Sequence, residues 1–271
     1  MFTYKVWDEI CQELSNKNTI RADEILSQED NKDWIVVKHD IETNVPKALI
    51  LAKIEAKYNI QATYYVQADL VNDNHKILQE IQKLGHEIAY HYDVLDANGG
   101  DFKLAKEEFD KNIELFNSFG FDIKTVCPHG NPLINRDGWS SNKDFFRDKE
   151  IAKSYPNILD IVVELPNRLK NSYTYISDAG YGWKEIVNID SNDIKNSGDI
   201  DLGDYNNLLN FIKEQNRVIL STHPHRWEEG YIKALFNLYR FKTLRFVARK
   251  LSSISFLKKI MSKFYFLAKK V

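Results

Sequence analysis

Carboxylate and imidazole side chains follow four separate apolar runs of this sequence, at the point where each run ends. The four groups are Asp40 with Glu42, His91 with Asp93, His129 alone, and His223 with His225. Side chains of these types bind zinc and exchange protons near neutral pH. Their recurrence after successive apolar runs predicts one site capable of metal-assisted hydrolysis.

Asp40 and Glu42 are separated by a single residue, Ile41. If the preceding strand continues, both carboxylates project to one side while Ile41 projects to the other. Two carboxylates on one side suit a division of roles, in which one holds a metal ion and the other acts as a general base. The alternative is a helix N-terminus, where acidic residues ahead of Pro46 stabilise the helix dipole.

The histidines differ in their local sequence. His91 ends the run EIAYH, where an imidazole can bind metal, and Asp93 could bind the same ion or fix the tautomer of His91. His129 lies in the stiff sequence CPHG, which is also compatible with an ordinary turn. His223 precedes Pro224, and its imidazole could protonate a leaving group.

Apolar runs alternate with helical patterns from residue 34 onward. Strands are predicted at 34–38, 62–67, 87–91, 124–127, 159–163, 173–176, 185–187 and 217–221, and helices at 46–58, 74–84, 103–119 and 205–214. This alternation predicts a parallel α/β sheet, in which the carboxyl ends of the strands meet at one edge. The polar groups above should therefore lie together at that edge.

The composition is that of a globular protein. The chain has 271 residues, 43% of them hydrophobic, with 11 Gly, 6 Pro and 2 Cys, which excludes disordered and disulfide-stapled classes. The N-terminal sequence lacks the pattern of a signal peptide and no uncharged apolar run could span a bilayer, so we expect a cytoplasmic protein. The absence of GxSxG, GxGxxG and GxxxxGK[ST] argues against a serine nucleophile and a nucleotide cofactor.

Charge is divided unevenly along the chain. Residues 230–271 contain 11 Lys and Arg and no acidic residue, which leaves the preceding residues with a net charge of −13 in a chain of net charge −2. An acidic body argues against nucleic-acid binding. Apolar residues recur in the tail at helical spacing, at Leu244, Val247, Leu251, Ile254, Leu257, Met261, Phe264, Ala268 and Val271. The predicted basic amphipathic helix could dock on an anionic membrane, and packing on the body of the protein or on a second subunit is the alternative.

Four segments, KHDIE, GHEIAYHYD, CPHGNP and LSTHPHRW, occur in this order. Together they resemble the motifs of the NodB-homology polysaccharide deacetylases, carbohydrate esterase family 4, in a divergent branch. The resemblance covers about residues 33–228. It implies a distorted, incomplete (β/α) barrel at 34–228, and the residue patterns outside this range predict a helical lead-in at 1–33 and the basic helical tail at 229–271. It also implies a divalent metal, which we expect to be zinc.

The resemblance assigns roles to the residues at matching positions. These are general base for Asp40, metal ligand for Glu42 and for His91, and catalytic acid for His223. The family carries a second histidine four residues after the first, but this chain has Leu95 there. A catalytic zinc site needs three protein ligands, and the missing one is open between His129 and Asp93.

A further polar and aromatic set lies nearer the C-terminus, and we interpret it as facing the substrate. Its members are Asp178, Trp183, Arg226 and Trp227. Tryptophan rings can stack on sugars, and arginine binds anionic groups. A role in the core is the alternative for both tryptophans.

The leading hypothesis is a metal-dependent hydrolase that removes an acetyl or other acyl group from an N-acylated sugar, free, nucleotide-linked or lipid-linked, in surface-polysaccharide biosynthesis. In the implied reaction the metal polarises the amide carbonyl, Asp40 takes a proton from the attacking water and His223 protonates the departing amine. One alternative, favoured by Leu95, is a non-catalytic carbohydrate-binding or scaffold protein with a degenerate metal site. Another is an amidohydrolase for a small amide that is not a sugar.

Overall fold

The computed structural model describes residues 1–29, 31–131, 134, 136–194 and 198–252, with the side chains of 248–252 excepted.

Nine strands form one sheet through the middle of the molecule. They are β1 Trp34–Ile41, β2 Ala62–Val66, β3 Glu87–Tyr92, β4 Thr125–Pro128, β5 Leu159–Asp160, β6 Thr174–Ser177, β7 Trp183–Glu185, β8 Ile200–Gly203 and β9 Arg217–Thr222. Their order is β5-β4-β3-β2-β1-β9-β6-β7-β8, and all neighbours from β5 to β6 are parallel. The last two pairings are antiparallel, and the sheet is not closed. The predicted α/β class and the incomplete barrel are confirmed.

Helices connect most of the strands. They are α1 Tyr4–Leu14, α2 Val45–Lys57, α3 Val71–Lys83, α4 Val94–Ala97, α5 Phe102–Ser118, α6 Asp144–Arg147, α7 Lys149–Ser154, α8 Leu165–Arg168, α9 Tyr205–Lys213 and α10 Tyr231–Ser252. Local sequence explains several of the boundaries. Asp101, Asp148 and Asp204 accept hydrogen bonds from the first backbone N–H groups of α5, α7 and α9.

Strand β1 shows how the sheet separates two apolar layers. Its residues are buried on both sides, and alternation sends Trp34 and Val36 into one core cluster and Ile35 and Val37 into another, larger one. The strand extends to Ile41, beyond the predicted end at residue 38. Its polar last residues are buried because each of them finds a partner inside the protein.

The N-terminal helix is part of the larger core. Trp7, Ile10, Cys11 and Leu14 of α1 are buried in that cluster. The indole N–H of Trp7 donates to Glu55 Oε1 on α2 at 3.1 Å, and this carboxylate also accepts from the hydroxyl of Tyr64.

Element types agree with the expectations for the predicted strands and helices, with boundaries shifted by a few residues. The short elements α4, α6, α7, α8 and β8 were not predicted, because segments of four to six residues carry too little periodicity. The tail is helical as expected through Ser252, and the predicted apolar stripe lies outside the described side chains from Leu251 onward. Within the described residues, no helix combines the length and apolarity needed to cross a membrane.

Candidate active site

The carboxyl edge of the sheet brings together the residues that the sequence placed at strand ends. Asp40 lies inside β1, and Glu42 directly follows that strand. His91 is on β3, and His129 and His223 directly follow β4 and β9. The sheet order separates β1 from β3 by one strand, β2, and the long side chains of Glu42 and His91 reach across that gap.

Three imidazoles converge on one oxygen of Glu42. The Nε2 atoms of His129, His223 and His91 lie 3.2, 3.7 and 3.8 Å from Glu42 Oε1. The Glu42 side chain is 25% exposed, whereas those of His91 and His129 are buried. The arrangement is therefore a pocket of nitrogen atoms around a carboxylate that solvent can still reach.

Glu42, His91 and His129 fit a divalent metal. Their ligand atoms all lie within 4.8 Å of one another. Tetrahedral zinc with bonds of about 2.1 Å would separate its ligand atoms by roughly 3.4 Å, close to the observed distances. His91 Nδ1 donates to the Cys127 carbonyl oxygen at 3.0 Å, which leaves the Nε2 lone pair for a metal.

Charge supports the same assignment. Burial alone would raise the pKa of Glu42, but the hydrogen bonds and charges of His129, His91 and His223 outweigh it and hold this pKa well below its ordinary value. Within the described part of the chain, no Lys or Arg forms an ion pair with Glu42. A carboxylate that stays ionised among imidazole nitrogens offers, with them, the ligand types that a divalent cation such as zinc takes.

A second group of possible ligands, Asp40, His91 and Cys127, fits a metal poorly. The ammonium of Lys38 contacts both oxygens of Asp40 at 2.5 Å and is fully buried, so a cation already occupies this side. Burial also raises the pKa of the Cys127 thiol, although the charge of Lys38 opposes this, so the sulfur stays protonated.

Lys38 and Asp40 form a buried ion pair at the floor of the site. Burial would raise the pKa of Asp40, but the charge of Lys38 and the imidazoles of His91 and His223 outweigh it, so this pKa is lowered. Burial alone would lower the pKa of Lys38, but the charge of Asp40 raises this pKa well above its ordinary value. Both groups are therefore charged, and Asp40 is a carboxylate at neutral pH.

His223 is oriented by a second buried carboxylate. Its Nδ1 lies 2.7 Å from Asp178 Oδ1, and Asp178 Oδ2 accepts from the backbone N–H of His223 at 3.0 Å and from the hydroxyl of Thr222 at 2.7 Å. Arg226 also donates to this carboxylate. Burial would raise the pKa of Asp178, but the charges of Arg226 and His223 lower it. The ionised Asp178 fixes Nδ1 as the donor and turns Nε2 toward Glu42.

The interpretation of the four substrate-facing residues needs correction. Trp227 is fully buried, its N–H donates to Thr222 Oγ1, and Trp183 is buried in the same core cluster. Rings with almost no exposed face cannot stack on a sugar, so both tryptophans pack the core. Asp178 is buried under His223 and positions it instead of contacting substrate. Contact between Arg226 and substrate stays a prediction.

Position favours His129 over Asp93 as the third possible ligand. His129 joins Glu42 and His91, whereas Asp93 belongs to neither group of possible ligands among the described residues. Leu95 is fully buried in the core, so the position four residues after His91 serves packing. Lys38 was missed by sequence reasoning. Its signal was the alternation in KHDIE, which places Lys38 on the same side of a strand as Asp40.

Comparisons with known proteins give structural likenesses only. No family model and no curated protein matches the sequence. Solved structures similar to this chain include a peptidoglycan deacetylase domain and family 4 carbohydrate esterases. The catalytic domain of peptidoglycan N-acetylglucosamine deacetylase from Eubacterium rectale is 14% identical, with a TM-score of 0.45 over 79% of this chain and 86% of that one.

Two other structures are comparably similar. A family 4 carbohydrate esterase from Streptomyces lividans, in complex with acetate, is 11% identical with a TM-score of 0.43, over 82% of this chain and 88% of that one. A family 4 pseudoenzyme from Bacillus anthracis is 13% identical with a TM-score of 0.41, over 80% of this chain and 63% of that one. These identities and scores are low, so the assignment of function below rests on the site itself.

Proposed function

We propose that this protein is a metal-dependent amide hydrolase that removes an acetyl or other acyl group from an N-acylated sugar. The observation that carries the proposal is the convergence of His91, His129 and His223 on Glu42, with the carboxylate of Asp40 beside them. Metal ligands, a base and an acid are the parts that metal-assisted hydrolysis of an amide uses.

Glu42, His91 and His129 would hold the cation, for which zinc is our candidate. When bound there, a divalent cation would polarise the acyl carbonyl and lower the pKa of a coordinated water. Asp40 is the proposed base, since its lowered pKa keeps it ionised and able to accept a proton from the attacking water. Lys38 holds this carboxylate in place from below.

His223 is the proposed acid that gives a proton to the departing amine. Its Nε2 faces the centre of the site, and Asp178 can stabilise the imidazolium through Nδ1. No covalent intermediate with the protein is needed, because the nucleophile is water. Asp40 is assigned as the base because Lys38 holds it as a carboxylate, and His223 as the acid because Asp178 can stabilise its protonated form.

The substrate class rests on the four motifs, which resemble those of polysaccharide deacetylases. An N-acylated amino sugar used in surface-polysaccharide biosynthesis is therefore our proposed substrate. The rival function, non-catalytic carbohydrate binding, is favoured by Leu95, whose packing role leaves one ligand position of the motif unused. His129 offsets that loss by supplying a ligand from another strand end.

We also propose that helix α10 places the enzyme on an anionic membrane, next to a lipid-linked substrate. One side of the helix packs on the body through Ala234, which is buried, and through Phe241, whose ring lies 5.0 Å from that of Tyr181. The opposite side exposes a stripe formed by Ile232, Phe236, Tyr239 and Phe246. Arg240 and Lys242 flank this stripe, and no acidic residue follows Glu229 in the sequence.

The decisive experiment measures acetate and free amine released from N-acetylglucosamine oligomers and from lipid-linked N-acetylated sugars by zinc-loaded protein. We expect turnover by the wild type and a loss of at least about a hundredfold in His223→Ala, the usual scale for a general acid. Binding of these sugars by metal-loaded protein without any release of acetate would instead support the carbohydrate-binding function. Unchanged turnover in His223→Ala would contradict the assigned role.

A further inference from the structure

Asp96 on α4 is the centre of a buried hydrogen-bond network outside the groups described so far. Its side chain is 2% exposed and accepts from Arg136 Nε and Nη2 at 2.8 and 2.7 Å. It also accepts from Trp139 Nε1 and Asn142 Nδ2, both at 2.9 Å. The backbone N–H of Asp96 in turn donates to Asn142 Oδ1 at 3.0 Å.

This network reaches the backbone of the metal-site loop. Asn142 is fully buried, and its Nδ2 also donates to the carbonyl oxygen of His129 at 2.9 Å. Arg136 Nη2 donates to the carbonyl oxygen of Asn131 at 2.8 Å. On the other side, the N–H of His129 donates to the Tyr92 carbonyl at 2.7 Å. The backbone of His129 is therefore fixed from two sides.

We propose that Asp96, acting through Asn142 and Arg136, positions His129 as the third metal ligand. This inference rests on the proposed metal site and adds the device that makes a loop residue usable as a ligand. A ligand on a free loop would lose conformational entropy when metal binds, whereas a loop already held in place loses little. Helix α4 thus organises the ligand that follows β4 without supplying one itself.

The charges in the network suit this role. The bidentate pair with Arg136 balances the charge of Asp96 and occupies both of its oxygens together with Trp139 and Asn142. Asp96 is therefore not available as a competing metal ligand. Groups that orient metal ligands from behind typically change metal affinity by about 10- to 100-fold when they are removed.

The test uses Asp96→Asn in the full chain, with Asp144→Asn as a matched control. Asp144 accepts from the Ser140 backbone N–H at 2.6 Å and from Arg147 at 2.7 Å, so it also fixes part of this region, and none of its hydrogen bonds reaches His129. Zinc dissociation constants are measured by competition with a chelator. The visible spectrum of the Co²⁺ form reports the coordination geometry independently of catalytic activity.

We expect Asp96→Asn to weaken zinc binding by about 10- to 100-fold and to change the Co²⁺ spectrum, while Asp144→Asn leaves both as in the wild type. Arg136→Gln, which removes the same clamp from a partly exposed side chain, should shift both readouts in the same direction and keeps the test valid if Asp96→Asn does not fold. Wild-type affinity and spectrum in a folded Asp96 or Arg136 variant would overturn the positioning role alone. A wild type that binds neither metal would overturn the proposed metal site itself.

Discussion

Asp40 and Glu42 are two residues apart but lie next to different charged and polar groups. A buried ammonium neutralises Asp40, whereas Glu42 faces imidazole nitrogens. The carboxylate of Glu42 and the imidazoles of His91 and His129 are ligand types that a divalent cation such as zinc takes. Both residues are carboxylates, so it is their neighbouring side chains that distinguish Asp40, the proposed base, from Glu42, the proposed metal ligand.

Replacement of His129 tests its assignment as a ligand. We expect His129→Ala to lower zinc affinity by at least about a hundredfold, since loss of a direct ligand should cost no less than loss of a group that orients one. His75→Ala is the control, because His75 lies exposed on α3 and stacks on Phe119 away from the cluster. Equal zinc affinity in the two variants would return His129 to the role of a turn residue.

Replacement of Asp40 should affect both catalysis and folding. Asp40→Asn removes the proposed base, which should reduce turnover by at least about a hundredfold. It also leaves the ammonium of Lys38 buried without its partner, which should lower the free energy of unfolding by about 3–5 kcal/mol. Denaturant unfolding and amine release measure the two effects separately.

The double variant Lys38→Met and Asp40→Asn separates these effects further. An apolar side chain of similar length removes the unpaired charge, so stability should largely return while turnover stays low. If the double variant were as unstable as Asp40→Asn, the ion pair would not be the source of the loss. Recovery of turnover would show that Asp40 is not the base.

At the level of elements, strand β3 carries a titratable group at each end. Glu87 begins the strand at the edge opposite the site, where its carboxylate accepts from Thr63 and Thr125. Burial, and secondarily the charge of Asp23, raises the pKa of Glu87 from 4.5 to about 7. The folded protein therefore holds this proton more tightly than the unfolded chain does.

The raised pKa of Glu87 predicts a pH dependence of stability. The contribution of Glu87 is fully present below pH 4.5 and is lost as the pH rises through about 7. Glu87→Gln removes the titrating group and with it this pH dependence. The free energy of unfolding of Glu87→Gln minus that of the wild type should therefore rise between pH 5 and pH 8 by up to about 3 kcal/mol, at about 1.4 kcal/mol per pKa unit. Urea unfolding at the two pH values measures it, with the exposed Glu107→Gln as control. A constant difference between Glu87→Gln and wild type would contradict the raised pKa.

The sequence was sufficient to predict the longer elements and the edge of the sheet at which the site lies. Apolar periodicity is a local signal, and the carboxyl ends of parallel strands share one edge. The sequence left the third ligand open, because the backbone of His129 is held by Asn142, which is in turn bound to Asp96, and sequence patterns do not show such contacts. The sequence also did not decide between substrate contact and burial for Trp183 and Trp227. Their surroundings come from the N-terminus, where the ring of Phe2 packs against both indoles.

At the scale of the whole molecule, the proposed membrane contact of α10 would orient the protein on the bilayer. Ile232 is 82% exposed and Phe236 is 67% exposed, on the side of the helix away from the body. Exposed apolar side chains flanked by Arg and Lys are typical of helices that lie in the membrane interface. The proposed membrane contact therefore uses a stripe that begins at Ile232, ahead of the stripe expected from Leu244 onward.

Vesicle binding tests this surface. Wild-type protein should bind vesicles containing anionic phospholipid, weaken at high salt and bind neutral vesicles poorly. Ile232→Ser with Phe236→Ser should reduce the partition coefficient at least about tenfold through lost apolar burial. The control is Leu104→Ser, an exposed apolar residue on α5. Binding that ignores lipid charge, or equal binding by both variants, would contradict membrane docking and favour packing against a second copy of the chain.

The most direct test of the central claim is an anomalous difference map of zinc-loaded crystals, recorded above and below the zinc absorption edge. The account predicts one strong peak at bonding distance, about 2.0–2.2 Å, from a Glu42 carboxylate oxygen and from Nε2 of His91 and His129. A map with no peak among these three atoms would contradict it. So would a peak held instead by Asp40 and Cys127.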